Sequence, residues 1–132
     1  MSENLDLVRS IYADWERGDF RSVDWAHPKI VFDLAGFDST STTGVVEMGQ
    51  RWREWVSVWE DYRTEADEFR ELDGGRVLVL IQHGGSGKAS GVGIENVKMP
   101  GATVFEIRDG KVTRLALYWD RERALADLGL EE

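Results

Sequence analysis

Ala102-Thr103-Val104-Phe105-Glu106-Ile107-Arg108-Asp109-Gly110-Lys111-Val112-Thr113-Arg114-Leu115-Ala116-Leu117-Tyr118-Trp119 reads as two strands joined by a hairpin. Two β-rich runs flank Asp109-Gly110, a pair that favours a two-residue turn whose backbone twist matches that of its strands. Upstream, Arg76 to His83 is a β-branched and leucine-rich strand. Tyr62 to Leu72 is a polar strand closed by Asp73-Gly74-Gly75. The second half of the chain therefore reads as an antiparallel meander. Between His83 and Ala102 the pattern weakens: Gly84 to Gly101 contains six glycines and fits either a loop or two strands separated by a bulge.

The first half runs on a helical period. Leu5, Val8, Ile11 or Tyr12, and Trp15 recur at three- and four-residue steps, so Ser2 to Arg17 is expected as an amphipathic helix stopped by Gly18. A short apolar segment, Phe20 to Trp25, leads to His27-Pro28, and Lys29 to Ala35 then alternates as a strand. Gly36 to Thr43 reads as a loop, with Thr42 or Thr43 able to cap the helix that follows. In that helix, from Val45 to Glu60, Met48, Trp52, Trp55 and Trp59 share one stripe. A last helix, Arg121 to Leu128, begins at the capping residue Asp120 and stops at Gly129. Helices followed by a meander give an α+β class, with residues 1–132 as one domain and the tryptophan helix lying against the sheet.

Composition narrows the partners. The chain has 132 residues, 42% of them hydrophobic, which suffices for one well-buried core. Twenty-five acidic against sixteen basic residues leave a formal charge of −9, which repels phosphate backbones and anionic lipid, so neither nucleic acid nor a membrane is an expected partner. The acidic start and the lack of a long apolar run lead to the expectation of a soluble cytoplasmic protein. With no cysteine and only two histidines, far apart, no metal-ligand spacing is present, and no cofactor is called for. Gly84-Gly85-Ser86-Gly87-Lys88-Ala89 imitates a phosphate loop, but its first glycine would fall at Gln82 and its last hydroxyl at Ala89.

These residues resemble the SnoaL-like branch of the nuclear-transport-factor-2-like superfamily, which includes ketosteroid isomerases, polyketide cyclases and limonene epoxide hydrolases. The resemblance spans nearly the whole chain. It is carried by Arg17-Gly18-Asp19-Phe20, the strand ending near Asp33, the tryptophan helix, Phe105 to Val112 running into Tyr118-Trp119-Asp120, and the closing Ala124 to Leu130. It implies a cone: a curved, mixed but mostly antiparallel sheet around three N-terminal helices, with a short C-terminal helix, forming a homodimer. One such scaffold hosts isomerases, cyclases, hydrolases and plain binding proteins, so the likeness does not choose a reaction. By the resemblance, the carboxylate base of ketosteroid isomerases falls at Asp33, while the phenol and the neutral acid that hold the enolate oxygen fall at Ile11 and near Thr103. Each missing donor would cost about 2.7–4 kcal/mol of transition-state stabilisation, which counts against a steroid isomerase of that mechanism.

Two polar residues remain as candidates. Asp33, if it faced an apolar pocket, would become a stronger base and could abstract a proton next to a carbonyl. Its alternation with Ile30, Phe32 and Leu34 also fits a solvent-facing aspartate. His83 shares the parity of Val79 and Ile81 and could donate to a substrate oxygen or relay a proton at neutral pH, or could be a satisfied histidine at a strand end. The expected pocket lining is Ile11, Trp15, Trp52, Trp55, Trp59, Thr103, Phe105, Leu117 and Trp119. Aromatic stripes at helical spacing are more often core, but six tryptophans, each with an N–H to place, suggest that some border a cavity. Three functions follow as alternatives: cofactor-free proton transfer on an apolar carbonyl compound, of isomerase or cyclase type; a non-catalytic carrier of an apolar small molecule; or a protein-interaction dimer.

Overall fold

The structure, a computed structural model, describes residues 3–17, 19, 24–35, 41–57, 63–72, 74–85, 97–118 and 120–129; within these, the side chains of residues 34–35, 55–57, 84–85 and 97–99 are not described. The elements are α1 (Glu3–Glu16), β1 (Ala26–Ala35), β2 (Ser41–Thr43), α2 (Val45–Ser57), β3 (Arg63–Leu72), β4 (Arg76–Gly85), β5 (Val97–Arg108), β6 (Lys111–Tyr118) and α3 (Arg121–Leu128). The six strands form one sheet in the order β2-β1-β6-β5-β4-β3. Strands β3 to β6 are the expected antiparallel meander. Strand β1 joins it in parallel against β6, with Phe32 opposite Leu115 and Asp33 opposite Ala116, which makes the sheet mixed.

The hairpin turns as its sequence requires. Asp109 and Gly110 both take positive φ, 52° and 77°, and Arg108 pairs with Lys111 across them. One correction concerns the second helix. Its first intrahelical bond runs from the Met48 N–H to the carbonyl of Gly44, so Gly44, at φ 99°, holds the cap position expected for Thr42 or Thr43. Those threonines belong instead to β2, which pairs with β1. A glycine fits because its own N–H must turn back to the Ile30 carbonyl at 2.7 Å. Of the expected three N-terminal helices, two are described; the segment Phe20 to Trp25 lies mostly outside the described residues.

Strand parity divides the side chains between two faces. On the inner face, Ile30, Phe32, Val77, Val79, Ile81, Phe105, Leu115 and Leu117 pack with Val8, Ile11, Tyr12 and Trp15 of α1 and Met48 of α2. On the outer face, Leu78, Leu80, Ala102, Val104 and Ala116 pack under Ala124 and Leu125 of α3. Each large aliphatic side chain buried this completely contributes about 1.5–3 kcal/mol. The inner side chains of β4 are fully buried, so this strand carries much of that sum.

The outer helix is fixed at three points. Asp120 accepts from the Glu122 N–H at 3.0 Å, and Gly129 closes the other end in a left-handed conformation. In between, Tyr118 donates to Asp127. Burial first, then the charge of Asp127 and this hydrogen bond, push the Tyr118 phenol above its ordinary 10.0, against a smaller opposing pull from Arg114 and Arg123. Above pH 10 the unfolded chain releases this proton while the native state keeps it, so stability falls as pH rises through the native value. Urea midpoints at pH 8 and pH 10.5 should therefore draw closer together in Tyr118→Phe than in the wild type; an equal alkaline loss in both would show that the phenol is not linked to folding.

Candidate functional site

Asp33 lies on the outer face. Phe32 is fully buried on the inner face, and its neighbour Asp33 points the opposite way, level with Ala116. Its carboxylate accepts from Arg114 Nε at 2.9 Å and Nη2 at 2.6 Å, and from the Ser41 hydroxyl. Arg114 also approaches Glu106 at 3.8 Å. This cluster ties β2, β1, β6 and β5 together from outside. It corrects the expectation of a base in the pocket: a carboxylate on this face cannot reach a ligand held on the other.

The tryptophans form a packed cluster. Trp15 stacks on Trp52 with ring centres 5.6 Å apart and meets Trp25 and Tyr12 edge-on at 6.0 and 4.9 Å. Phe32 touches Trp52, and Phe105 touches Trp15. The cavity left among Trp15, Trp25, Phe32, Met48, Trp52 and Leu115 is about 30 Å³, enough for about one water. Ile11, Trp15, Trp52, Phe105 and Leu117 thus serve as core at this end of the inner face, not as the walls of a chamber. The Trp55 side chain, Trp59 and Trp119 lie outside the described residues.

The other end of the inner face is polar. His83 continues the parity of Val77, Val79 and Ile81 and is 1% exposed. Its strand partners are Thr64 on β3 and Met99 on β5. Its ring lies over Gly101, where a Cβ would sit 2.5 Å from His83 Nε2 and 2.8 Å from the Tyr118 carbonyl. Only a glycine leaves room for the imidazole there. Two positions further along β5, Thr103 is buried, and its Oγ1 lies 2.6 Å from the hydroxyl of Tyr12, itself fully buried on α1. Among the described residues, Thr64, Thr103 and His83 are the buried polar side chains besides the Tyr12 phenol, and no carboxylate is buried.

Behind this end, Arg121 reaches from α3 to the Ile81 carbonyl at 2.8 Å, the Gly101 carbonyl at 3.4 Å and Asp67 at 3.0 Å. Asp67 is the extra residue of a bulge in β3 and also accepts from Gln82. The three strands that carry Thr64, His83 and Gly101 are thus clamped from outside, which fixes their relative positions. Sequence reading missed Tyr12 and Thr64. Tyr12 was one of two options for the buried turn of α1, and the family position drew attention to Ile11; Thr64 is a lone threonine in a polar strand and gives no local signal. Among the described residues, no group of three or more His, Asp and Glu side chains is placed to hold a metal ion, and no helix is long and apolar enough to cross a membrane.

Comparison with known proteins gives the family. A family model described as a SnoaL-like domain matches residues 8–115, and the chain belongs to that family. No curated protein sequence matches it. Among solved structures, a candidate polyketide cyclase from Xanthomonas campestris is 20% identical with a TM-score of 0.68, covering 94% of this chain and 95% of that one. TerC, crystallised with polyporic acid, is 22% identical with a TM-score of 0.72, covering 96% and 98%. An epoxide hydrolase of Mycobacterium tuberculosis, described as LEH-like, is 21% identical with a TM-score of 0.64, covering 89% and 79%. At these identities the likeness establishes a shared fold.

The Tyr12–Thr103 bond is a direct target for measurement. Tyr12→Phe leaves the Thr103 hydroxyl short of a buried partner, so it should lower stability by about 1–3 kcal/mol. Adding Thr103→Val removes the orphaned group, and the double variant should recover part of that loss in urea denaturation. Strict additivity of the two single losses would mean that the two hydroxyls are not coupled.

Proposed function

We propose that this SnoaL-like protein binds an apolar carbonyl compound at the polar end of its inner face and moves a proton on it through His83. The observation that carries this reading is the burial of the His83 imidazole on the inner face, at 1% exposure, over a glycine that makes room for it. Imidazole is the side-chain type that ordinarily exchanges protons near neutrality. Neutral His83 accepts the proton from the carbon next to the carbonyl and returns it, while the Tyr12–Thr103 pair, on the same face, offers an O–H to the developing enolate oxygen. Structural relatives described as a candidate polyketide cyclase and an LEH-like epoxide hydrolase, and one crystallised with polyporic acid, support a small-molecule reading of this fold.

A carrier without catalysis is the second reading. It is favoured by the outward position of Asp33 and by the absence of a buried carboxylate among the described residues. The two readings separate on one substrate. Deuterium uptake next to the carbonyl of 1-tetralone in D2O, followed by NMR, should be accelerated by the wild type. It should fall roughly 10²–10⁴-fold in His83→Gln. Asp33→Asn should retain the wild-type rate. Uptake no faster than in buffer, with 1-tetralone binding still measured by calorimetry, would leave the carrier reading standing. A rate lost in Asp33→Asn and kept in His83→Gln would overturn the proton-transfer role given to His83.

A further inference from the structure

Thr64 is out of keeping with its surroundings. Its side chain is 4% exposed, and its Oγ1 is buried with no hydrogen-bond partner among the described residues. A buried hydroxyl without a partner has lost its hydration and gained nothing in return, so it destabilises the fold that holds it. Thr42 on β2 shares this condition but lies at the opposite edge of the sheet. Thr64 is directly across from His83 in the β3–β4 register and on the same inner face. Directly opposed residues of an antiparallel pair hold their Cβ atoms about 4.5–5.5 Å apart. A hydroxyl at that spacing from the imidazole can engage an oxygen borne by the carbon that the imidazole addresses.

From this juxtaposition we infer that Thr64 is a ligand-binding residue that selects compounds carrying a second oxygen next to the carbonyl, as in a hydroxy ketone. The inference rests on the reading of His83 as the group that moves the proton and adds to it the class of ligand. The Tyr12–Thr103 pair meets the carbonyl oxygen, His83 addresses the adjacent carbon, and Thr64, which can both donate and accept, meets the second oxygen on that carbon. The Arg121 clamp on the Ile81 and Gly101 carbonyls and on Asp67 keeps β3 and β4 in the register this requires. A site that holds an unsatisfied polar group in the free state and satisfies it on binding gives up stability for selectivity.

That trade gives the test two readouts of opposite sign. Thr64→Val keeps the shape and deletes the hydroxyl. The free variant should melt at or above the wild-type temperature, since an unpaired group has been removed. In calorimetry the wild type should bind 2-hydroxy-1-tetralone roughly tenfold more tightly than 1-tetralone, the scale of one added hydrogen bond. Thr64→Val should bind the two equally, and Thr64→Ser should keep the preference. A clear drop in melting temperature with the preference intact would make Thr64 a structural residue and overturn the inference. Equal binding of the two probes by the wild type would overturn it as well. If His83→Gln slows deuterium uptake into 1-tetralone while Thr64→Val leaves the preference intact, only the role of Thr64 falls. If uptake with His83→Gln keeps the wild-type rate, the reading of the whole site falls with it.

Discussion

The register of β5 against β6 is the constraint on which the rest of this structure depends. Positive φ at Asp109 and Gly110 pairs Arg108 with Lys111, and every later pair in the hairpin follows, through one bulge, from that start. Because side chains alternate along a strand, a slip of one residue would exchange Leu115 and Leu117 for Arg114 and Ala116 on the inner face. The adjacent strands inherit the same division. Strand β4 takes its parity from β5 and places His83 inward; strand β1 takes its parity from β6 and places Asp33 outward. The fate of both candidate residues is thus set by one turn and by the pairing that spreads from it.

What was legible in the sequence and what was not divides along sequence distance. The meander, α1, the last helix and its caps are written in local patterns: a period of two, a period of 3.6, an Asp-Gly pair, a glycine after an apolar stripe. Those elements stand where the patterns put them. The parallel pairing of β1 with β6 joins residues some eighty positions apart and leaves no local signature, and β2 is too short to alternate visibly. The cap of α2 went to Gly44 in place of a threonine because the chain must return an N–H to Ile30 as it leaves β2. That requirement exists only once β1 and β2 are paired.

For the site, the local pattern was a better guide than the family position. The alternation of Asp33 with Ile30 and Phe32 already implied that the aspartate faces away from whatever buries those two. The resemblance drew it inward, and the pairing of Asp33 with Ala116 restores the simpler reading. His83 is the opposite case, since its parity with Val79 and Ile81 was visible and the structure places it there. The tryptophans show the limit of an argument from composition. Trp15, Trp25 and Trp52 fill space by stacking and edge contacts, so their number did not require a chamber among them. Tyr12 and Thr103 needed a third dimension to be seen, because the bond between them crosses from a helix to a strand.

The inner face is therefore two regions with different physical demands. Under α1 and α2 near β1 and β6, aromatic and aliphatic side chains interlock, and any polar group placed there would have to be desolvated without reward. Toward β3 and β4 the face accepts a phenol, two threonine hydroxyls and an imidazole. Burying such groups is tolerable only where each finds a partner, and Tyr12 and Thr103 satisfy one another. Packing alone would favour valine, the residue of nearly the same shape, at the two threonine positions. At Thr64 the hydroxyl has no partner among the described residues and weakens the core, whereas the Thr103 hydroxyl is matched by Tyr12, and the missing Cβ at Gly101 leaves room for the histidine. From the outer face Arg121 ties β3, β4 and β5 together at Asp67, Ile81 and Gly101, behind these polar groups.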